Sequence, residues 1–463
     1  MRTMESMVPR TEGIDRRELL GGAAALGLAA ACAPRESTTS AVRPKSVLVL
    51  LADDLSARDL GCYGCADART PAIDRLAREG ARFTHAYTAV GVCQPSRSSL
   101  YTGLYPHRHG AMGFGAIRGD VATWPELLRV RGMFTALVGK LDVDPLEKFP
   151  FDHLLKAVDM PSRRDPALWE THARDIFARA AGRPFAAVLG LSDPHRPYDE
   201  DDTPRTTDPA SVRVPRSLWD TDGTRAEYAR YLDCIARLDR TVERVLVALR
   251  ESGRADDTLV VFAADNGASF PFAKSTLYEP GVRMPLLVHG PGVLPGTRDE
   301  FVSLLDVLPT ALELAGASGP VLDGRSLAPT LFEARSLGRA SFVTMQTENN
   351  REQARPARAL HTARFAYIRN LGPEMATVSN VVGHSQTWES GKVAARTDAA
   401  IAARMKAYLY RPKDELYDLD GDPEQLVNLA EEPAHAQQTA DMRAQLRRWM
   451  EENADPELAE FDA

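Results

Sequence analysis

An excess of basic charge is the first thing missing from these 463 residues. Lysine and arginine number 56 against 64 aspartates and glutamates, a formal net charge of -8. That balance excludes broad nucleic-acid binding, so a polyanionic substrate must be drawn in by a local basic pocket. Long apolar runs are also missing; the stretch Gly21 to Ala31 is too short to cross a membrane as a helix. Cysteine is scarce, with five in the chain. Cys62-Tyr63-Gly64-Cys65 has CxxC spacing, but no second CxxC and no histidine pair at zinc spacing accompanies it. That segment is expected to be a loop, one able to carry a labile disulfide in an oxidising compartment. No internal repeat with a period of about 20–50 residues is visible, which excludes a solenoid. What remains is ordinary globular composition, 44% hydrophobic and 26% charged, in a chain long enough for about two or three domain-sized units.

Residues 1–44 are expected to be an export signal and tether. Asp15-Arg16-Arg17-Glu18-Leu19-Leu20 precedes the short apolar run and small residues follow it, the order of a secretory signal. The paired arginines favour the twin-arginine route. Cys32 follows Leu28-Ala29-Ala30-Ala31, so a lipid anchor at Cys32 and simple cleavage nearby both stay open. Export machinery is thus an expected partner, and the expected location is the periplasm or a membrane-anchored lipoprotein state.

From about Ser46 the chain alternates strands and helices. Ser46-Val47-Leu48-Val49-Leu50-Leu51 is an aliphatic run that fits a strand buried on both faces, and it ends in Asp53-Asp54. Thr70-Pro71 to Gly80 reads as a helix with cap, first-turn proline and stop. Phe134 to Val138 runs into Gly139-Lys140-Leu141-Asp142, Phe185 to Leu191 into Asp193-Pro194-His195-Arg196, and Thr258 to Ala264 into Asp265-Asn266-Gly267. A long amphipathic helix spans about Arg225 to Arg250, and Pro285 to Val288 reads as a further strand. The pattern predicts an α/β core with a large, mostly parallel sheet, residues 45–335. Sites in such sheets form beyond the carboxyl ends of the strands. Residues 336–463 read as a smaller α+β subdomain: short antiparallel strands at 340–344, 363–368 and 415–419, a closing helix from about Pro433 to Glu452, and a long loop at 370–397.

Four strand ends thus deliver polar groups to one side of the sheet, with Cys93 expected on a loop beside them. Asp53, Asp54, Asp265 and Asn266 offer only oxygen, which suits a hard divalent cation, Ca²⁺ with Mg²⁺ as the alternative. Arg97, Lys140 and Lys274 can neutralise developing oxygen charge, and His195 can protonate a leaving group. Each of these residues also has an ordinary structural reading, as turn residues after strands or as solvated lysines.

The chain resembles the type I sulfatases in Cys93-Gln94-Pro95-Ser96-Arg97, followed by Leu100-Tyr101-Thr102-Gly103. Leu51-Ala52-Asp53-Asp54, Asp193-Pro194-His195-Arg196, Asp265-Asn266-Gly267, Leu277-Tyr278-Glu279-Pro280-Gly281 and Glu415-Leu416-Tyr417-Asp418 extend the resemblance, closest to the sulfamidase branch. The resemblance implies an alkaline-phosphatase-like sandwich and a sulfated carbohydrate substrate, N-sulfoglucosamine-like. It implies that a maturation enzyme converts Cys93 to Cα-formylglycine, whose hydrate is the nucleophile; a second hydroxyl then expels sulfate. Asp53, Asp54, Asp265 and Asn266 carry over as calcium ligands and Cys93 as ligand and nucleophile. Arg97, Lys140 and His195 carry over as sulfate-site residues, with Lys274 where the branch has an arginine. The departure is Asp142, where the family has the histidine of a Lys-x-His pattern; base replacement, an altered substrate and weakened activity all follow as hypotheses. Rival readings are an O-sulfatase for another sulfated glycan or aryl sulfate, a phosphodiesterase or phosphonate hydrolase of the same fold, and a non-catalytic glycan-binding relative.

Overall fold

The computed structural model describes residues 43–198, 204–317, 319–347, 356–371 and 380–463. The segment expected to be an export signal, with Cys32, falls outside these residues. Eight strands make the main sheet: β1 (Ser46–Ala52), β2 (Ala81–Tyr87), β3 (Phe134–Gly139), β4 (His153–Lys156), β5 (Phe185–Gly190), β6 (Thr258–Ala264), β7 (Leu286–His289) and β8 (Gly296–Ser303). Their order is β4-β3-β5-β1-β6-β7-β2-β8. From β4 to β6 every pairing is parallel; β7 runs antiparallel to both of its neighbours, and β2 pairs parallel with β8. The four apolar runs with polar ends are therefore neighbouring central strands, β3, β5, β1 and β6. Their ends are level: Gly139 pairs with Gly190, Gly190 with Leu51, and Ala52 with Ala264.

Alternation along these strands feeds two cores. Leu48, Leu50 and Ala52 point with Phe262 and Ala264 into one, which is closed by the helices Pro71–Glu79, Pro166–Ala180 and Asp222–Glu251. Val47, Val49 and Leu51 point with Val261 and Ala263 into the other, beneath Cys93–Thr102, Trp124–Arg129 and Val307–Leu314. A strand apolar on both faces needs cover on both, which is why these runs are unbroken. The long helix exceeds its expected span by a few residues at the N-terminus, where Thr221 accepts a hydrogen bond from Thr224 N–H. Thr70 precedes the Pro71 helix as expected, but its hydroxyl bonds Gly61 N–H and Asp74 instead of capping. The cap comes from the long helix: Asp239 accepts from the Ala72 and Ile73 N–H groups.

A second sheet, β9 (Ser341–Gln346), β10 (Ala357–Thr362), β11 (Phe365–Asn370) and β12 (Asp414–Asp418), is antiparallel in the order β12-β11-β10-β9. One face packs Val343, Leu360, Tyr367 and Leu416 on Met442, Leu446 and Met450 of the Ala436–Glu452 helix. The other meets the main sheet through Tyr87, Tyr105 and Tyr278. Buried hydrogen bonds join the two sheets: Glu279 accepts from Tyr87 and bonds His361, and Tyr278 donates to Glu415.

Three expectations need correction. The span 370–397 is not one long loop. Its residues 372–379 lie outside the described set, and Gln386–Ala394 is a helix. That helix is capped by Ser385, which accepts from Trp388 N–H, and anchored by the buried Trp388 against Trp219. Cys93 is not on a loop; it is the first residue of the Cys93–Thr102 helix. Cys62 is not on a loop but in a single 3-10 turn, Gly61–Tyr63, with Asp74 beside its free thiol, and the free thiol of Cys65 lies by Tyr228.

Candidate active site

The Cys93 helix begins at the level of the four strand ends. Its N-cap is Val92, which has no side-chain acceptor, so the first-turn N–H groups and the positive end of the helix dipole are left to the site. Ser96 pins this helix to β6 by donating to the Asp265 carbonyl at 2.5 Å. Two close approaches set the strand ends. A Cβ on Gly190 would lie 2.2 Å from the Lys140 carbonyl oxygen, and one on Gly267 would lie 1.9 Å from that of Pro280. Only glycine lets these backbones meet.

Asp53, Asp54, Cys93 and His195 each contribute one ligand-type atom to a group lying within 4.8 Å of one another. Cys93 Sγ is 3.9 Å from Asp54 Oδ1. Asp54 sits at φ 64°, in the left-handed region that few residues other than glycine, asparagine and aspartate adopt. Its Oδ1 accepts from Lys274 Nζ at 2.5 Å and Asn266 Nδ2 at 2.7 Å, and its Oδ2 accepts from Ser269. Asp53 Oδ2 accepts from Lys140 Nζ at 2.7 Å. Asp265 is built in from the other side. Its Oδ2 accepts from Arg97 Nε at 2.8 Å, and its Oδ1 from the Asn266 and Asp54 N–H groups. Asp265 therefore lies against the cluster, with both oxygens engaged. Arg97 Nη1 donates to the Lys140 carbonyl at 2.6 Å, tying β3 to the helix. Asp142 lies 3.6 Å from Lys140 Nζ through Oδ2.

Burial would raise the Asp53 and Asp54 carboxyls. Lys140 for Asp53, Lys274 for Asp54 and His195 for both outweigh it and hold the pair below the usual carboxylate range. Asp265 goes the other way. Burial and the charge of Asp53 push it up to about 6 despite Arg97. Burial also pushes the Cys93 thiol up to about 12, with Lys140 and Lys274 offsetting only part. An unmodified Cys93 is thus a protonated thiol and a poor nucleophile.

The donor set fits a hard cation. Asp53 Oδ1 and Asn266 Oδ1 are buried oxygens with no hydrogen-bond partner. Such atoms are costly unless something completes them, and oxygen donors of this kind suit Ca²⁺ or Mg²⁺.

His195 stands 35% exposed at the rim, with Nε2 3.7 Å from Asp54 Oδ2. Its Nδ1 lies 2.5 Å from the Arg196 carbonyl oxygen. A carbonyl can only accept, so Nδ1 carries a proton and Nε2 faces the site. The loop is clamped by residues that sequence reasoning missed. Arg237 donates twice to Asp193, both at 2.8 Å, and Arg164 donates to the His195 carbonyl at 2.7 Å. The signal for Arg237 was present: an arginine between Cys234 and Leu238 on the apolar face of the long helix. Ser269, three residues beyond Asn266, carried no signal of its own.

This geometry is that of a hydrolase centre in an α/β sandwich, and comparison with known proteins gives its class. The sulfatase family model matches residues 45–317, and the chain belongs to the sulfatase family. It has the alkaline-phosphatase-like fold and is a hydrolase acting on sulfate esters or sulfamates. It is similar to human N-sulphoglucosamine sulphohydrolase, 32% identical with 89% of this chain and 91% of that protein covered. It is also similar to an ulvan-active sulfatase of Formosa agariphila, 29% identical with 90% and 82% covered. Among solved structures, one in complex with its substrate D-glucosamine-2-N,6-O-disulfate superposes with a TM-score of 0.69 at 19% identity, covering 90% of this chain and 99% of the other. The phosphonate monoester hydrolase of Agrobacterium radiobacter superposes at 0.65 and 18% identity, covering 87% and 96%. At these identities the structural matches speak for the fold alone.

Proposed function

We propose that this protein releases sulfate from a sulfated amino sugar, N-sulfoglucosamine-like, using a Cα-formylglycine made from Cys93. The observation that carries the reading is the position of Cys93: buried, at the open N-terminus of its helix, 3.9 Å from Asp54, with Lys140 and Lys274 bound to the neighbouring carboxylates. The similarity to N-sulphoglucosamine sulphohydrolase over most of both chains supports the substrate class.

Asp53, Asp54, Asp265, Asn266 and residue 93 would hold the cation, Ca²⁺ by preference with Mg²⁺ as the alternative. When bound, it polarises oxygens of the nucleophile and the sulfuryl group. The chain's own residues do the rest. Lys140, Lys274 and Arg97 bring three positive charges to where sulfuryl oxygen charge develops. His195 presents Nε2, 3.7 Å from Asp54 Oδ2, to the leaving nitrogen or oxygen as the group that can donate a proton there. Arg164 and Arg237 fix the loop that carries His195. Formylglycine conversion requires a maturation enzyme, and export by the twin-arginine route, with or without lipid at Cys32, belongs to the same proposal. That route exports folded protein, so conversion and cation loading could precede it.

The test is sulfate release by the purified protein from N-sulfoglucosamine and 6-O-sulfoglucosamine at equal concentration, with alcohol release from a phosphonate monoester as a third arm. Release from the N-sulfated sugar alone supports the proposal. Release from the O-sulfated sugar alone replaces the substrate, and hydrolysis of the phosphonate monoester alone replaces the chemistry.

A further inference from the structure

We propose that Asp142 sets the charge preference of this site, favouring singly charged sulfuryl compounds over doubly charged anions, the sulfate product among them. The inference rests on reading the site as a sulfuryl pocket and adds to it what that pocket discriminates.

Lys140 Nζ is shared by two carboxylates. Asp53 binds it at 2.7 Å from the buried side, with 3% of its side chain exposed. Asp142 approaches to 3.6 Å from the other side, and its side chain is 27% exposed beside a lysine that is 21% exposed. Asp142 and Lys140 are thus partly open to solvent, as His195 is, whereas Asp53 and Asp54 are buried. Asp142 takes no hydrogen bond from any described residue, so neither a cap nor a turn accounts for its carboxylate. Its backbone is at φ 51°, a conformation aspartate tolerates better than most residues. The backbone that follows is tied to the neighbouring loop by Ile117 N–H donating to the Asp144 carbonyl at 2.8 Å.

Charge arithmetic gives the carboxylate a task. A sulfate monoester or sulfamate carries one negative charge at neutral pH. Hydrolysis consumes water, breaks the bond from sulfur to the leaving atom, and yields inorganic sulfate with two charges plus a proton. A phosphate monoester carries about 1.5 to 2 charges. A fixed carboxylate beside the anion-binding lysine repels a dianion twice as strongly as a monoanion. At a separation of about 5 Å and the intermediate effective dielectric of a half-exposed site, that is about tenfold in affinity per unit of ligand charge. Asp142 therefore weakens product more than substrate, which opposes product inhibition, and disfavours phosphate monoesters on the same grounds.

The test is calorimetric binding of sodium sulfate and sodium sulfamate to the purified protein and to Asp142→Asn, which keeps the shape and removes the charge. Asn is expected to tighten sulfamate about tenfold and sulfate about a hundredfold, so the sulfate-to-sulfamate preference rises about tenfold. Asp142→Glu, which keeps the charge, is expected to retain the original preference. An unchanged preference in Asp142→Asn overturns the proposal, as does binding of neither anion to either protein. Lost turnover with unchanged anion affinities also overturns it, and makes Asp142 a base. The binding needs no turnover, so failure of the wild-type protein to release sulfate counts against the proposed function and not against the charge filter.

Discussion

Arg97 Nε donates to Asp265 Oδ2 at 2.8 Å, and neither side chain is exposed to solvent. The same guanidinium bonds the Lys140 carbonyl, so one residue joins the Cys93 helix, β6 and β3. Removing one partner of such a pair strands the other charge in the core. Arg97→Ala is expected to lose about 3–5 kcal/mol of stability, read by urea or thermal unfolding. Arg97→Lys keeps the charge and is expected to lose less. Equal stability of Arg97→Ala and wild type would show that Asp265 is not ionised there.

His195 is placed as a proton donor, and its value depends on the leaving group. His195→Ala is expected to lower kcat about 10²–10⁴-fold on a sulfated sugar, whose leaving atom needs the proton. On an aryl sulfate with an acidic phenol the loss is expected to shrink to about tenfold or less. Comparison of the two substrates checks this; equal losses on both would assign His195 to binding.

The unpartnered oxygens of Asp53 and Asn266 predict a cation effect without reference to turnover. Calcium added after chelation is expected to raise the unfolding temperature, by about 2.7 kcal/mol of stability at a hundredfold excess over the dissociation constant. Asp53→Asn is expected to abolish most of that rise. A calcium-insensitive melting curve for the wild type would remove the cation from the account.

Glu279 links the two sheets through Tyr87, at 3.0 Å, and His361, at 2.9 Å. Burial would raise its carboxyl, but His361, then Arg283 and the Tyr87 hydroxyl, hold it below the ordinary glutamate value of 4.5. A depressed folded value contributes stability that is present above pH 4.5 and is lost as pH falls through the folded value. Glu279→Gln is therefore expected to be less stable than wild type at pH 7, with the gap closing as the pH drops below 4.5. Melting temperatures from pH 3 to pH 8 check the sign; a gap that widens in acid would contradict it.

The central strands were legible because physics writes them twice. β1, β3, β5 and β6 are buried on both faces, so each is an unbroken apolar run, and each must stop where the polar site begins. β2 and β10 were not legible for the opposite reason. Ala81–Tyr87 carries Arg82, Thr84 and His85 on a strand toward the sheet edge, where half-exposure erases the run. Ala357–Thr362 hides two fully buried polar side chains: Arg358 pairs with Asp455 at 2.6 Å, and His361 with Glu279. Alone in a sequence, an arginine and a histidine read as surface. The constellation of Asp53, Asp54, Lys140, His195 and Asp265 was visible as four strand ends. Its clamps Arg164 and Ser269 were not, because their partners are distant in the chain and only folding brings them near; Arg237 left a trace, an arginine on an apolar helix face, but nothing marked Asp193 as its partner.

The most direct test joins Cys93 to the chemistry. Sulfate release from N-sulfoglucosamine would be measured for the wild-type protein and for Cys93→Ala, with the mass of the peptide carrying residue 93 determined on the same preparations. The account predicts an aldehyde mass at residue 93 in active wild-type protein and no release by Cys93→Ala. Sulfate release by wild-type protein whose residue 93 remains an intact thiol, or undiminished release by Cys93→Ala, would contradict it.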